Sequence, residues 1–161
     1  EINESDYFFV EESKFNEMQK NNDFLESAKV FDHCYGTPKK PIMDALDSGM
    51  DILFDIDWQG TQQLMNSLQD DLIKVFVLPP SAKELERRLL QRNQDSDEIV
   101  KGRMSKASNE ISHYAEYDYI IINENFEESL SKIESIIIAE GLKRSRQIKI
   151  QDTIDNLLKD L

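Results

Sequence analysis

Two carboxylates one residue apart close an apolar run, Ile52-Leu-Phe-Asp-Ile-Asp-Trp-Gln-Gly60. Read as a strand, the run puts Asp55 and Asp57 on one face, because side chains two apart point the same way. Like charges so placed repel unless a cation, a water network or a ligand's donors satisfy them. The carboxyl ends of strands in open α/β sheets are also where ligands bind. The plainer alternative is that Asp55 or Asp57 caps the helix expected from Gln59, and the residues leave both readings open. Further along, Arg88 and Arg92 lie four apart and project from one side of a helix. On pattern alone they are a surface pair, with Glu84 placed to form an ion pair with Arg88.

The elements that would position these groups follow from periodicity and punctuation. Tyr7 to Val10 reads as a short strand, and Ser13 to Lys20 as a helix with Phe15 and Met18 inward. Phe24 to Phe31 is strand-like, with Glu26 interrupting its apolar side. Thr37-Pro38 offers a helix cap followed by proline at the first helical position, and Gly49 closes that helix. Met50 to Ile56 predicts a buried strand, Gln59 to Leu68 a helix, and Leu72 to Leu78 another strand stopped by Pro79-Pro80. Ser81-Ala-Lys-Glu84 is a capping box that opens a helix reaching about Arg92. After the polar break at Asn93 to Asp95, Ser96 can cap a helix carrying Ile99, Val100, Met104, Ala107 and Ile111 at helical spacing. Asp118 to Ile122 predicts a strand, and Asn125-Phe-Glu-Glu128 opens a long helix. A charged amphipathic tail runs from Lys143 to Leu161. Strands alternating with helices indicate a three-layer α/β architecture with a parallel sheet.

Composition narrows the function. Thirty-two acids against nineteen bases leave a net charge of −13 over 161 residues. That balance disfavours nucleic-acid or anionic-membrane partners, while a few arginines in a cleft still suit a phosphate compound. The single cysteine, Cys34, excludes an internal disulfide framework and fits a reducing cytoplasm. With two histidines and one thiol, a structural zinc site is not expected. Cys34 itself reads as a small apolar filler.

Several segments together resemble guanylate kinases. They are Asp6-Tyr-Phe-Phe-Val10, Phe24-Leu-Glu26, Tyr35-Gly-Thr37, Asp55-Ile-Asp-Trp-Gln-Gly60, Leu78-Pro-Pro-Ser81 and Glu86-Arg-Arg-Leu89. Arg92-Asn-Gln-Asp-Ser96, Arg103-Met104, Ser112-His-Tyr-Ala-Glu-Tyr-Asp118 and Ile122-Asn123 complete the set in the family's order. The resemblance covers about residues 1 to 145. It implies a P-loop-kinase-like parallel sheet with a small mixed α/β GMP-binding insertion and a helical lid. It also implies transfer of the γ-phosphoryl group of ATP to GMP, with Mg²⁺. The layout expected is residues 1–48 for GMP binding, 49–86 and 105–148 for the core, 87–104 for the lid and 149–161 for a helical tail.

The resemblance assigns roles to particular positions. Glu26 matches the acid that reads guanine, whose N1–H and exocyclic amine meet two carboxylate oxygens; adenine lacks that donor pair. Thr37 matches a donor to guanine O6, with its capping role still open, and Gly36 a tight backbone turn beside the ligand. Tyr7 and Tyr35 resemble the tyrosines that bond the GMP phosphate. Asp57 resembles the acid near the guanine amine, and Asp55 the acid facing Mg²⁺ through water. Arg88, Arg92 and Arg103 resemble lid arginines that clamp phosphate, a task that suits a planar guanidinium. Asn123 resembles a residue beside the ATP adenine. His113 and Tyr114 are taken as structural, since the GMP phosphate is already an anionic nucleophile.

The departure is at the start. Family members open with a strand and a Gly-rich phosphate loop ending in Gly-Lys-Ser/Thr. A segment carrying two phosphate-binding arginines follows, and Glu1 resembles the acid just after it. The first strand and P-loop are absent from these 161 residues. The expectation is that they alone have no useful kinase activity, and that neighbouring strands expose apolar edges. A non-catalytic guanylate-kinase-like module that binds a protein or phosphopeptide is the alternative. Such modules tend to lose lid arginines and metal acids, whereas Asp55, Asp57, Arg88, Arg92 and Arg103 are all present. Homo-oligomerisation is left open.

Overall fold

The computed structural model describes residues 3, 7–30, 33–69, 71–91 and 97–161. Arg92, the expected hinge at Asn93 and the expected cap at Ser96 lie outside the described residues. The chain divides into two compact units, Glu1–Lys74 and Val75–Leu161.

In the first unit, helix α1 (Glu12–Lys20) leads into an antiparallel pair, β1 (Phe24–Val30) and β2 (His33–Pro38). Helices α2 (Lys39–Asp47) and α3 (Trp58–Ser67) follow. Leu64 of α3, Phe15 of α1 and Leu25 of β1 are buried and form the apolar centre. Phe15 lies 4.7 Å from Phe24, ring centre to ring centre. Leu64 is 1% exposed, so truncating it to alanine costs about 2–5 kcal/mol through lost transfer energy and a cavity.

The helix starts show how side-chain chemistry sets boundaries. Asp57 caps α3, accepting from the Gly60 amide at 3.0 Å. The expected cap at Thr37 does not form. Thr37 stays within β2, Pro38 occupies the cap position, and α2 begins at Lys39. The hydroxyl is engaged elsewhere, donating to Glu26. Gly49 follows α2 with φ +82°, a left-handed turn that suits glycine.

Among the described residues, two expected strands are not formed. Residues 50–57 belong to no ladder among the described residues, because a strand requires a hydrogen-bonding neighbour and none pairs with this segment. Exposure still alternates along it, with Leu53 89% exposed and Ile52 and Phe54 half-buried. At Tyr7–Val10 the ordered pairing amounts to one bridge between Asn3 and Tyr7, and Phe8 is exposed. Cys34 is exposed as well, so it is not the filler its size suggested. Its neighbours His33 and Tyr35 on β2 are exposed too.

In the second unit, β3 (Val75–Leu78) and β4 (Tyr119–Ile122) pair in parallel, with Val75 opposite Tyr119 and Leu78 opposite Ile122. Helices α4 (Ala82–Gln91) and α5 (Asp97–Ser112), which pack on each other, connect them. Such a connection is what parallel strands require. The Ser81 hydroxyl accepts from the Glu84 amide and starts α4, as the capping box predicts. Asn125 likewise caps α6 (Phe126–Gly141), accepting from the Glu128 amide. Glu140 is buried near the end of α6 and accepts from the Tyr119 hydroxyl at 2.5 Å and Lys143 at 2.6 Å. Helix α7 (Ile150–Asp160) carries the exposed apolar residues Ile154, Leu157 and Leu158. No helix among the described residues is long and apolar enough to cross a membrane.

Candidate functional site

The site in the first unit begins with register. Glu26 on β1 lies opposite Thr37 on β2, and an irregularity between Phe24 and Glu26 adjusts the pairing there. Tyr35 is two residues from Thr37, so both side chains share the strand face that meets Glu26. Gly36 points to the other face, and a Cβ there would come within 2.9 Å of the Phe24 ring. The turn expected at Gly36 is therefore absent. Glycine is needed at this mid-strand position because an aromatic ring lies against the backbone.

Glu26 is 4% exposed, a rare environment for an acid. Its Oε1 accepts from the Thr37 hydroxyl at 2.6 Å. Burial pushes its pKa above the ordinary 4.5; the Thr37 hydrogen bonds pull the other way, and the nearby negative charge of Asp57 pushes it further up. No cation pairs with Glu26 among the described residues. Each carboxylate oxygen can accept more than one hydrogen bond, so acceptor capacity remains.

Asp57 uses its two oxygens on α3 itself. Oδ1 takes the Gly60 amide and Oδ2 takes the Gln59 side-chain amide at 2.9 Å. The helix-cap reading therefore holds for Asp57. Asp55 is exposed and no hydrogen bond or ion pair reaches it among the described residues, so it is no cap. Tyr7 and Tyr35 come together edge to face at 5.8 Å. Neither is core, at 46% and 37% exposed.

Gly60 and Gln63 join this cluster through contacts that the sequence pattern does not display. A Cβ at Gly60 would stand 2.8 Å from Glu26 Oε2, so the glycine gives the carboxylate its place. The available signal was the glycine three residues after Asp57, inside a segment otherwise suited to helix.

The second unit holds a separate group. Arg88 donates through Nε to Glu84 at 2.7 Å and through its terminal nitrogen to the Asn123 carbonyl at 2.9 Å. Arg87 also grips Glu84, and the two guanidiniums hold that carboxyl down at about 2. Asn123 continues the ladder beyond β4 by donating to the Leu78 carbonyl, and its side-chain oxygen accepts from Ser129. Arg88 and Asn123 are thus joined. Arg103 is half-buried on α5, and Arg92 is outside the described residues. His113 contacts Glu116 at 2.6 Å in the short 3₁₀ turn after α5.

Among the described residues no cluster of three or more acidic, histidine or cysteine side chains could hold a metal. A single exposed carboxylate such as Asp55 fits an ion held mainly by water and substrate phosphate, as Mg²⁺ usually is, and does not fit a full protein cage.

Fold and clusters define a mixed α/β protein with a buried, hydroxyl-held acid in one unit and an arginine beside a strand end in the other. Comparison with known proteins makes this specific. The guanylate kinase family model matches residues 1–140. A guanylate kinase of Rhodopseudomonas palustris (strain BisB18) is 53% identical over 97% of this chain and 71% of its own length. One from Paramagnetospirillum magneticum is 52% identical over 98% of this chain and 73% of its own. The crystal structure of guanylate kinase from Anaplasma phagocytophilum superposes with a TM-score of 0.82 at 35% identity, covering 97% of this chain and 76% of that one. The chain belongs to the guanylate kinase family.

Proposed function

We propose that the first unit binds GMP and that the protein serves transfer of the γ-phosphoryl group of ATP to it, in a reducing cytoplasm. The observation that carries this reading is Glu26: buried, paired with a neutral hydroxyl, and close to the negative charge of Asp57. A carboxylate so placed gains most from a ligand offering two donors on one edge. Guanine offers N1–H and the exocyclic amine, and adenine does not. As the base's donors engage Glu26, the Thr37 hydroxyl is released to donate to O6, and Asp57 accepts from the amine. The exposed phenols of Tyr7 and Tyr35 bond the GMP phosphate.

The GMP phosphate is an anionic nucleophile, so the chain must orient it and neutralise charge rather than supply a base. Arg88, Arg92 and Arg103 take the phosphate-clamping role, and Asn123 lies beside the ATP base. Arg88 is bound to Glu84 and Asn123 in this state, so engagement with phosphate requires exchange of those partners. Asp55 is the residue that would hold Mg²⁺, through water, and the ion would supply charge neutralisation at the transferring phosphate. These 161 residues contain no Gly-rich phosphate loop, and by themselves are expected to bind GMP without efficient turnover.

Calorimetric titration of the 161-residue chain with GMP and with AMP tests the reading. Measurable GMP binding with little AMP binding is expected; equal affinities contradict the base assignment. Binding of neither nucleotide, with capture of a phosphopeptide instead, favours the non-catalytic module.

A further inference from the structure

Gln63 lies in the second turn of α3 and grips the neighbouring strand at two points. Its Oε1 accepts from the Ser27 amide at 3.0 Å, and its Nε2 donates to the Ser27 carbonyl at 2.8 Å. The same Nε2 reaches the Gln59 carbonyl at 3.2 Å. Only one orientation of the amide satisfies this set, because Ser27 presents a donor and an acceptor and the side chain must present their complements. Gln59 in turn donates to Asp57. Hydrogen bonds therefore run from the Asp57 carboxylate through Gln59 and Gln63 to the peptide groups beside Glu26.

We propose that Gln63 is a positioning residue for purine selection, holding β1 at Ser27 so that the Glu26 carboxylate stays fixed between Thr37 and the space left by Gly60. This rests on the reading of Glu26 as the residue that meets the base. Three features support it. The grip falls on the residue next to Glu26. Both hydrogen bonds to that residue are to backbone, so they fix the strand rather than one rotamer. The Glu26 carboxylate also has little room: Oε2 would be 2.8 Å from a Cβ at Gly60, and Oε1 is 2.6 Å from Thr37 Oγ1. A small shift of β1 along α3 therefore changes both contacts. The dull alternative is that Gln63 merely satisfies the outward peptide groups of an edge strand.

The test is the ratio of GMP to AMP affinity, by calorimetry on the 161-residue chain, for Gln63→Met, Gln63→Glu and Glu26→Gln, alone and in combination. Methionine keeps length and helix preference and removes both hydrogen bonds to Ser27 along with the one to Gln59. Glutamate keeps the acceptor toward the Ser27 amide and loses the donor. Gln63→Met is expected to weaken GMP binding about tenfold, two modest hydrogen bonds' worth, with AMP changed by less than about twofold; Gln63→Glu falls between. In the Glu26→Gln background, Gln63→Met should cause no further loss of preference, because the two act as one unit. Ser27 amide exchange in the unaltered chain gives a measure independent of variant folding: protection should rise on GMP binding and not on AMP binding. Equal weakening of both nucleotides, additive losses in the double variant, or unchanged Ser27 protection overturns the proposal. So does a Gln63→Met ratio equal to that of the unaltered chain. If Glu26→Gln itself leaves the ratio intact, the base reading fails, and this inference with it. If Glu26→Gln abolishes the ratio while Gln63→Met preserves it, only this inference fails.

Discussion

The two units treat a carboxylate in opposite ways. In the first, Glu26 is buried, its described donors are the neutral hydroxyl and amide of Thr37, and its pKa is pushed up. In the second, Glu84 is gripped by Arg87 and Arg88 and its pKa falls to about 2. Charged partners neutralise an acid and complete its bonding, which makes it structural. A neutral partner leaves the charge uncompensated, so a ligand's donors still have something to gain. Glu140, as buried as Glu26 but paired with Lys143 and Arg146, separates the two factors: burial without a countercharge, not burial alone, is what leaves an acid open to a ligand's donors.

The strongest way to break that contrast is Glu26→Gln. It replaces two acceptor oxygens by one acceptor and one donor, and should reduce GMP affinity about a hundredfold, since bonds to a charged acceptor are the stronger kind. Calorimetry reads it, with AMP binding as the control that should barely move. Gly60→Ala comes next. Alanine favours the helix by up to about 1 kcal/mol, while its Cβ displaces the Glu26 carboxylate. Thermal unfolding should therefore change little as GMP affinity falls about tenfold, roughly the worth of one or two misplaced hydrogen bonds. A parallel loss of stability and binding would mean that the glycine serves packing alone.

On the side of the second unit, Asn125→Ala removes the α6 cap and should cost about 1 kcal/mol, read by denaturant unfolding, with GMP affinity untouched. The smallest effect concerns Glu84. Its folded pKa of about 2 lies below its ordinary 4.5. Its contribution to stability is therefore present above pH 4.5 and is lost as pH falls from there toward 2. Exposure of its partners makes that contribution small. Glu84→Gln should flatten that part of the acid unfolding curve; an unchanged curve removes the ion pair from the account.

Local signals were legible where side chain and backbone interact within a few residues. The capping box at Ser81, the cap at Asn125, the strand carrying Glu26 and the helix after Asp57 all follow from short-range chemistry. The competing readings of Asp57 also had their answer nearby, in the Gly60 amide. What could not be read depended on contacts distant in sequence. Thr37 loses its cap role to Glu26, eleven residues away, and Gly36 answers to the ring of Phe24. Gln63 holds Ser27 from 36 positions along the chain, and nothing in the helical pattern of α3 distinguishes it from Gln62. The apolar run before Asp55 has strand composition, but strand formation depends on a partner that its own residues do not specify.

The most direct measurement is the GMP-to-AMP affinity ratio as a function of pH. Both nucleotides carry the same phosphate, so its titration cancels and the ratio isolates the base site. Glu26 must be ionised to accept two donors, and its pKa is raised above 4.5. The ratio should therefore be large near neutrality, shrink on acidification before the ordinary carboxylate range is reached, and lose this dependence in Glu26→Gln. A ratio near one at neutral pH, or one that stays constant through that range, contradicts the account.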